Sequence, residues 1–282
     1  MKIRIITDSA SDLLPPYRPE LTVLPMCVSF GEEQYLDGVD LSHRQFYEKL
    51  VESEALPTTS QIAPAQFEDT FRAAVDAGET VIAVVLSSKL SGTWQSAAIA
   101  AESFDAGQVF VVDSENATIG ERILVERALE LMDQGLEAAE IAARLDEEKK
   151  DIRLVALLDT LEYLKRGGRI SPAIAMVGGI LSIKPVVAVQ DGEVVMLGKA
   201  RGSKNGSNLL VQEIEKTGGV DFDRPHLLGY AGLSDMLLKK YVEDSSGLWA
   251  GHTNSLPIAT VGGTIGAHVG PGAIAVAFFR RK

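Results

Sequence analysis

The sequence contains one cysteine, Cys27, so no internal disulfide can staple the fold. That cysteine and the 4 histidines show none of the spacings by which zinc is held. Aromatic residues make up only 6% of the 282, so a core has to be assembled mainly from Ala, Val, Ile and Leu. Cations are in deficit: 27 Lys and Arg against 39 Asp and Glu leave a net charge of -12. The one basic cluster is Arg280-Arg281-Lys282. Nucleic-acid affinity rests on phosphate neutralisation by basic patches, so this balance argues against a nucleic-acid partner. The longest apolar stretch, Ala173 to Val189, is broken by Lys184 and Pro185 and falls short of a membrane span. The opening residues reach Asp8 too soon for a signal-peptide core. The expectation is a cytoplasmic protein with at most transient membrane contact.

Catalytic signatures are missing as well. There is no GxxxxGK[ST] loop, no GxSxG elbow, and Gly262-Gly263-x-x-Gly266 departs from the dinucleotide fingerprint. Asp8 and Asp12 could hold a magnesium ion, but two Asp residues in a capping turn seldom mark a metal site. No metal or cofactor is expected.

What is present reads as a packed globular chain, with 46% hydrophobic and 23% charged residues. The first half alternates strand candidates (Lys2–Ile6, Val23–Phe30, Thr80–Leu86, Gln108–Val112) with amphipathic stretches. Ser42 followed by Gln45 predicts a capping box and a helix to about Glu54. Pro64 suits a first helical position, with Phe67, Phe71, Ala74 and Val75 on one face and Gly78 as the stop. Two further helices are predicted over 118–134 and 137–149. Strand alternating with helix predicts a mostly parallel α/β sheet covered on both faces.

The second half differs. Val186–Gln190, Asp191-Gly192 and Glu193–Lys199 predict a β-hairpin, because Asp-Gly tolerates the positive φ of a type I′ turn. Strands at His226–Tyr230, Ile258–Val261 and Ala273–Phe279, with helices near 206–216 and 233–243, predict an α+β unit with antiparallel strands. We therefore expect two domains, 1–155 and 156–282, dividing near 150–160.

Three early strands end in hydroxyl- or carboxylate-rich turns, and in an open parallel sheet such ends line the ligand crevice. For Asp8-Ser9-Ala10-Ser11-Asp12 and Asp113-Ser114 the simpler reading is helix capping. Ser91-Gly92-Thr93 is more suggestive: Gly92 lets backbone approach a ligand, and a helix N-terminus favours an anion. Thr58-Thr59-Ser60 adds hydroxyls in a loop bounded by Pro57 and Pro64. Arg169, after Gly167-Gly168, and Arg201, before Gly202, could clamp an oxyanion, although most such arginines form surface ion pairs. His268 lies in the glycine-rich run 262–272, which predicts tight turns. His43, His226 and His252 are assigned structural roles.

Taken in order, TDSASDL (7–13), LPTTSQ (56–61), SSKLSGTWQSA (87–97), VVDS (111–114), LEYLKRGGRIS (161–171), SIKPVV (182–187) and GAHVGPGAIA (266–275) resemble the DegV family, the FakB-type fatty-acid-binding proteins. The resemblance spans essentially the whole chain. It implies two α/β domains of DegV-like (EDD) architecture with a long-chain fatty acid, such as palmitate, in a tunnel between them. Such proteins present the carboxylate to a separate ATP-dependent fatty-acid kinase, which makes an acyl phosphate for phospholipid synthesis. By motif, Thr59 and Ser91 are the implied carboxylate donors. Arg169, Arg201, His268, Ser60, Gly92 and Thr93 are the surrounding polar network. Ile62 stands where the family commonly has Pro, Trp94 where Tyr is usual, and Ser182 where Asn is frequent.

Burying about 14 methylenes at ~0.8 kcal/mol each gives an upper bound of ~11 kcal/mol before association costs. Two hydroxyl bonds to a carboxylate add roughly 1.5–3 kcal/mol each. The tail thus supplies affinity, and the hydroxyls set which end faces out. Ala173–Leu181 is a candidate tunnel wall, with ordinary core as the simpler assignment. The competing reading is an esterase or acyl hydrolase using Ser91 with His268.

Overall fold

The computed structural model describes residues 2–171, 183–249 and 251–282. The candidate wall Ala173–Leu181 lies outside them. Chain order begins β1 (Lys2–Asp8), β2 (Leu21–Leu24), β3 (Cys27–Phe30), β4 (Glu33–Leu36), α1 (His43–Glu52), β5 (Thr58–Ser60), α2 (Pro64–Asp76), β6 (Glu79–Val85), α3 (Thr93–Ala101), β7 (Val109–Asp113), α4 (Thr118–Asp133) and α5 (Ala138–Glu148). It continues with β8 (Ile152–Leu157), α6 (Glu162–Arg166), β9 (Ile183–Gln190), β10 (Glu193–Arg201), α7 (Gly202–Lys216), β11 (His226–Tyr230), α8 (Met236–Asp244), β12 (Ile258–Thr260), α9 (Gly263–Val269) and β13 (Ile274–Phe279).

Three sheets result. The first, in the order β2-β1-β6-β7, is parallel throughout. The second, β10-β9-β8-β13-β11-β12, is antiparallel except for its β11–β12 edge. The third, β4-β3-β5, is a small antiparallel sheet. This is the α/β class anticipated from the sequence.

Strand alternation divides the core. In β6, Val81, Ala83 and Val85 join the Phe67 and Phe71 side of the first sheet, while Ile82 and Val84 join the side of α4 and α5. In β13, Ala275, Ala277 and Phe279 face that same α4 layer, and Ile274, Val276 and Phe278 face Leu210, Leu238 and Trp249. Helix α4 is therefore packed against both sheets and buries most of its length, leaving Arg122, Glu126, Arg127 and Glu130 to pair on its open side. Glu121 is its fully buried charged residue.

Several local readings hold. Ser42 and Gln45 form the capping box, and Pro64 opens α2. The Asp191-Gly192 turn has φ of 49° and 83°, as a type I′ hairpin requires. Others are corrected. Val23–Phe30 is two strands in two sheets, because the chain breaks at Pro25-Met26, where proline offers no N–H to a ladder. Residues 263–269 are a buried helix, not turns alone. The strand β8, with no counterpart among the predicted strands, sits third in the six-stranded sheet, so the change of sheet falls before residue 152, and a cut at 155 falls inside a strand.

What seats α9 is a pair of distant carboxylates. Asp37 accepts hydrogen bonds from the Gly263 and Thr264 N–H groups, both at 2.9 Å, and Asp12 accepts from Gly262 N–H at 2.7 Å. These are the orphan donors of the helix start, satisfied from the other end of the chain. Asp37→Ala should lower the unfolding free energy by about 1–3 kcal/mol. Urea denaturation checks this: an unchanged midpoint would show that water serves those N–H groups equally well.

Candidate functional site

A cavity of about 360 Å³ lies between the two large sheets, within the ~300–1,000 Å³ range of small-molecule sites. One wall is the face of the six-stranded sheet, with Leu154, Ala156, Val187, Val189 and Ala275. Small and branched side chains at these positions leave room that larger ones would fill. Helix α9 runs along another wall and contributes Thr264, Ile265 and His268.

The polar groups gather around Thr59, Ser60, Gln61, Ser91, Gly92, Arg169 and His268, all lining the cavity. Thr59 is placed by β5, opposite the buried Val28 of β3. His268 Nε2 lies 2.9 Å from Thr59 Oγ1. Its Nδ1 is buried without a partner among the described residues. A Cβ added to Gly167 would stand 2.1 Å from that Nδ1, so only glycine lets the α6 end close over the imidazole. Burial pushes His268 down to about 4, and the positive charge of Arg169 acts in the same direction.

Ser91 Oγ accepts from the Thr93 N–H at 3.2 Å and lies 3.0 Å from Thr93 Oγ1. Gly92 at the start of α3 is covered by the Gln61 side chain, whose Nε2 donates to Ser96 Oγ at 3.0 Å. Arg169 donates from Nε to the Leu90 carbonyl at 3.1 Å and from Nη1 to the Gly167 carbonyl at 2.5 Å. No carboxylate among the described residues pairs with it, and burial lowers its pKa. A half-buried guanidinium held only by carbonyls carries an uncompensated positive charge, which an anion in the cavity would neutralise.

The sequence-predicted residues thus fall into two groups. Thr59, Ser60, Ser91, Gly92, Arg169 and His268 converge, with Thr93 directly behind Ser91. Arg201 does not line the cavity: it is exposed at the end of β10, where its carbonyl accepts from Asn205 Nδ2. Asp8 caps the first turn as read, whereas the Asp113-Ser114 turn caps no helix, since α4 starts from Ala117 without a side-chain cap. Asp8 accepts from Ala10 and Leu86 N–H groups, and Asp113 from Ser88 and Glu115 N–H groups. Burial raises Asp8 to about 6 and Asp12 to about 8, and Glu121 well above the carboxylate range. Gln61 and Thr118 line the cavity without having been singled out, since neither stands in a pattern that distinguishes a wall from a loop.

The geometry lacks the chain of contacts a serine hydrolase needs. His268 Nε2 engages Thr59 rather than Ser91, and no carboxylate orients Nδ1. A buried imidazole beside a cation is also a poor general base. What the arrangement can do is hold an anionic head group at one end of an apolar cavity. Among the described residues no cluster could hold a metal ion, and no helix is long and apolar enough to cross a membrane.

An α/β protein with an apolar cavity closed by hydroxyls, an imidazole and an unpaired arginine defines a class of small-ligand-binding proteins. The chain belongs to the DegV family: the model described as "Uncharacterised protein, DegV family" matches residues 2–281. A DegV domain-containing protein of Caldanaerobacter subterraneus is 34% identical over 290 residues, covering 100% of this chain and 99% of the relative. A DegV family structure from Thermus thermophilus described as fatty-acid-binding superposes with a TM-score of 0.87 at 32% identity, covering 99% of this chain and 100% of the other. A stearic-acid-binding protein of Eubacterium ventriosum gives a TM-score of 0.83 at 26% identity, covering 98% and 97%.

The neutral state of His268 has a measurable consequence. Because the folded protein resists protonating this ring, it binds fewer protons than the unfolded chain below about pH 6.5. Its effect on stability is therefore level at neutral pH and grows unfavourable as pH falls from about 6.5 towards 4. Between pH 7 and 5 the wild type should lose more stability than His268→Gln in denaturant titrations. Equal losses would show that His268 titrates normally.

Proposed function

We propose that this protein binds a long-chain fatty acid with its tail in the cavity and its carboxylate at Thr59 and Ser91. It presents that carboxylate to a separate ATP-dependent kinase and performs no chemistry alone. A cytoplasmic location follows from this reading, since the kinase draws on ATP there. The observation that carries it is the pairing of an apolar cavity with one polar end where Arg169 has no counter-charge among the described residues. The fatty-acid-binding neighbours of the same fold support the choice of ligand.

The division of labour follows from magnitudes. Tail burial contributes up to ~11 kcal/mol before association costs, and each hydroxyl bond roughly 1.5–3 kcal/mol. Thr59 and Ser91 then orient rather than retain. An oriented carboxylate is what phosphoryl transfer requires, because that chemistry is mostly positioning and charge stabilisation. Arg169 sits where it would also steady the added phosphate. Gly92 and Ser60 shape the mouth, and Thr93 and His268 stand behind the two donors.

Native mass spectrometry followed by extraction should find stoichiometric fatty acid. A ligand-free protein that also refuses added fatty acid would overturn the reading. The Thr59→Ala, Ser91→Ala double variant should retain fatty acid through purification, yet lose at least about tenfold in kinase-dependent acyl-phosphate formation. Equal losses in binding and phosphorylation would place the affinity at the head group instead.

A further inference from the structure

A hydroxyl can offer a ligand either its proton or its lone pairs, and the groups behind it decide which. Behind Thr59 stands His268. A neutral imidazole carries one proton, on Nε2 or on Nδ1. With the proton on Nδ1, a donor would be buried against Gly167 with no acceptor among the described residues, and orphaned buried donors are rarer than underused acceptors. That N–H would also lie on the side of Arg169, whose Nη1 holds the Gly167 carbonyl. The lone pair, not the proton, suits a neighbouring cation. Both considerations put the proton on Nε2, donated to Thr59 Oγ1 across 2.9 Å.

Ser91 is in the same position. The fully buried Thr93 hydroxyl has Ser91 Oγ, at 3.0 Å, as its one acceptor among the described residues, and its proton is satisfied only by pointing there. The Thr93 N–H donates to the same oxygen. Each lining hydroxyl therefore already accepts from the protein and has its own proton left to give.

We propose that His268 and Thr93 are positioning residues that fix the polarity of the site: Thr59 and Ser91 both present protons, so the site selects head groups that only accept. An ionised carboxylate does so with both oxygens. A primary amide of the same size and shape has an NH₂ in place of one oxygen, so one of the two hydroxyl protons is left without an acceptor. The selectivity is thus written in proton direction rather than in shape. This inference rests on the carboxylate reading above.

The test has two parts. Long-range ¹H–¹⁵N NMR of delipidated protein should show His268 protonated at Nε2 and bare at Nδ1 between pH 5 and 8. The opposite tautomer, or an imidazolium at pH 6, would overturn the proposal. In binding titrations palmitate should bind at least about tenfold more tightly than palmitamide. His268→Leu and Thr93→Val should each narrow that ratio, whereas His268→Gln, which restores an N–H donor, should recover it. Palmitate binding with no preference over palmitamide, or a ratio unmoved in both variants, would sink this inference alone. Failure of palmitate to bind at all would remove the carrier reading as well.

Discussion

Three consecutive backbone N–H groups, those of Gly262, Gly263 and Thr264, meet the carboxylates of Asp12 and Asp37, and the geometry of the site hangs on that meeting. A helix as short as α9 has little stability of its own. Its start is an anion-binding position, and here the protein fills it with its own side chains. Phe46 and Tyr47 then close against Gly266 of the same helix, an approach no larger residue would permit. His43 adds a bond to Thr260 Oγ1 at 2.8 Å. The outcome is that His268, carried at the far end of α9, is delivered to Thr59 of β5, a residue from the opposite end of the chain.

The same economy governs charge at the cavity. Buried polar groups in the rest of the molecule are mostly paired: Asp8 takes two backbone N–H groups, and Lys149 is ringed by Glu115, Asp146 and a carbonyl. At the cavity the pattern is reversed. Among the described residues Arg169 has carbonyls only, and His268 has one nitrogen bare. Leaving a cation desolvated without a partner is costly, and such a cost persists where a ligand relieves it.

Much of this was legible from residue patterns, for physical reasons. The unbroken apolar run within Glu79–Val85 declares a strand buried on both faces, and Asp191-Gly192 declares its turn through backbone sterics. Thr59, Ser91, Arg169 and His268 stood out because hydroxyls, cations and glycines at element ends carry chemistry. The rest depended on long-range partners. Nothing local in Gly263–Val269 favours a helix; its start is supplied by Asp12 and Asp37. Val23–Phe30 reads as one strand until the second sheet claims its latter half. The charged stretch at 147–151 marks where the chain passes to the six-stranded sheet, but the place of the next strand in the middle of that sheet is set by its partners β9 and β13. Arg201 shares its glycine neighbour with Arg169 but points to solvent, a distinction that composition does not carry.

The return of α9 to the first half also fixes an order of events during synthesis. Domains ordinarily fold as they emerge from the ribosome, N-terminal part first. Here Thr59 and Ser91 are made early, but the imidazole behind Thr59 and the last strand of the cavity wall arrive only with residues 262–279. Until then the nascent chain has an open trough rather than a pocket, with Asp12 and Asp37 waiting for their N–H partners. A closed cavity is therefore a property of the finished chain, complete only when nearly all of the polypeptide has been translated.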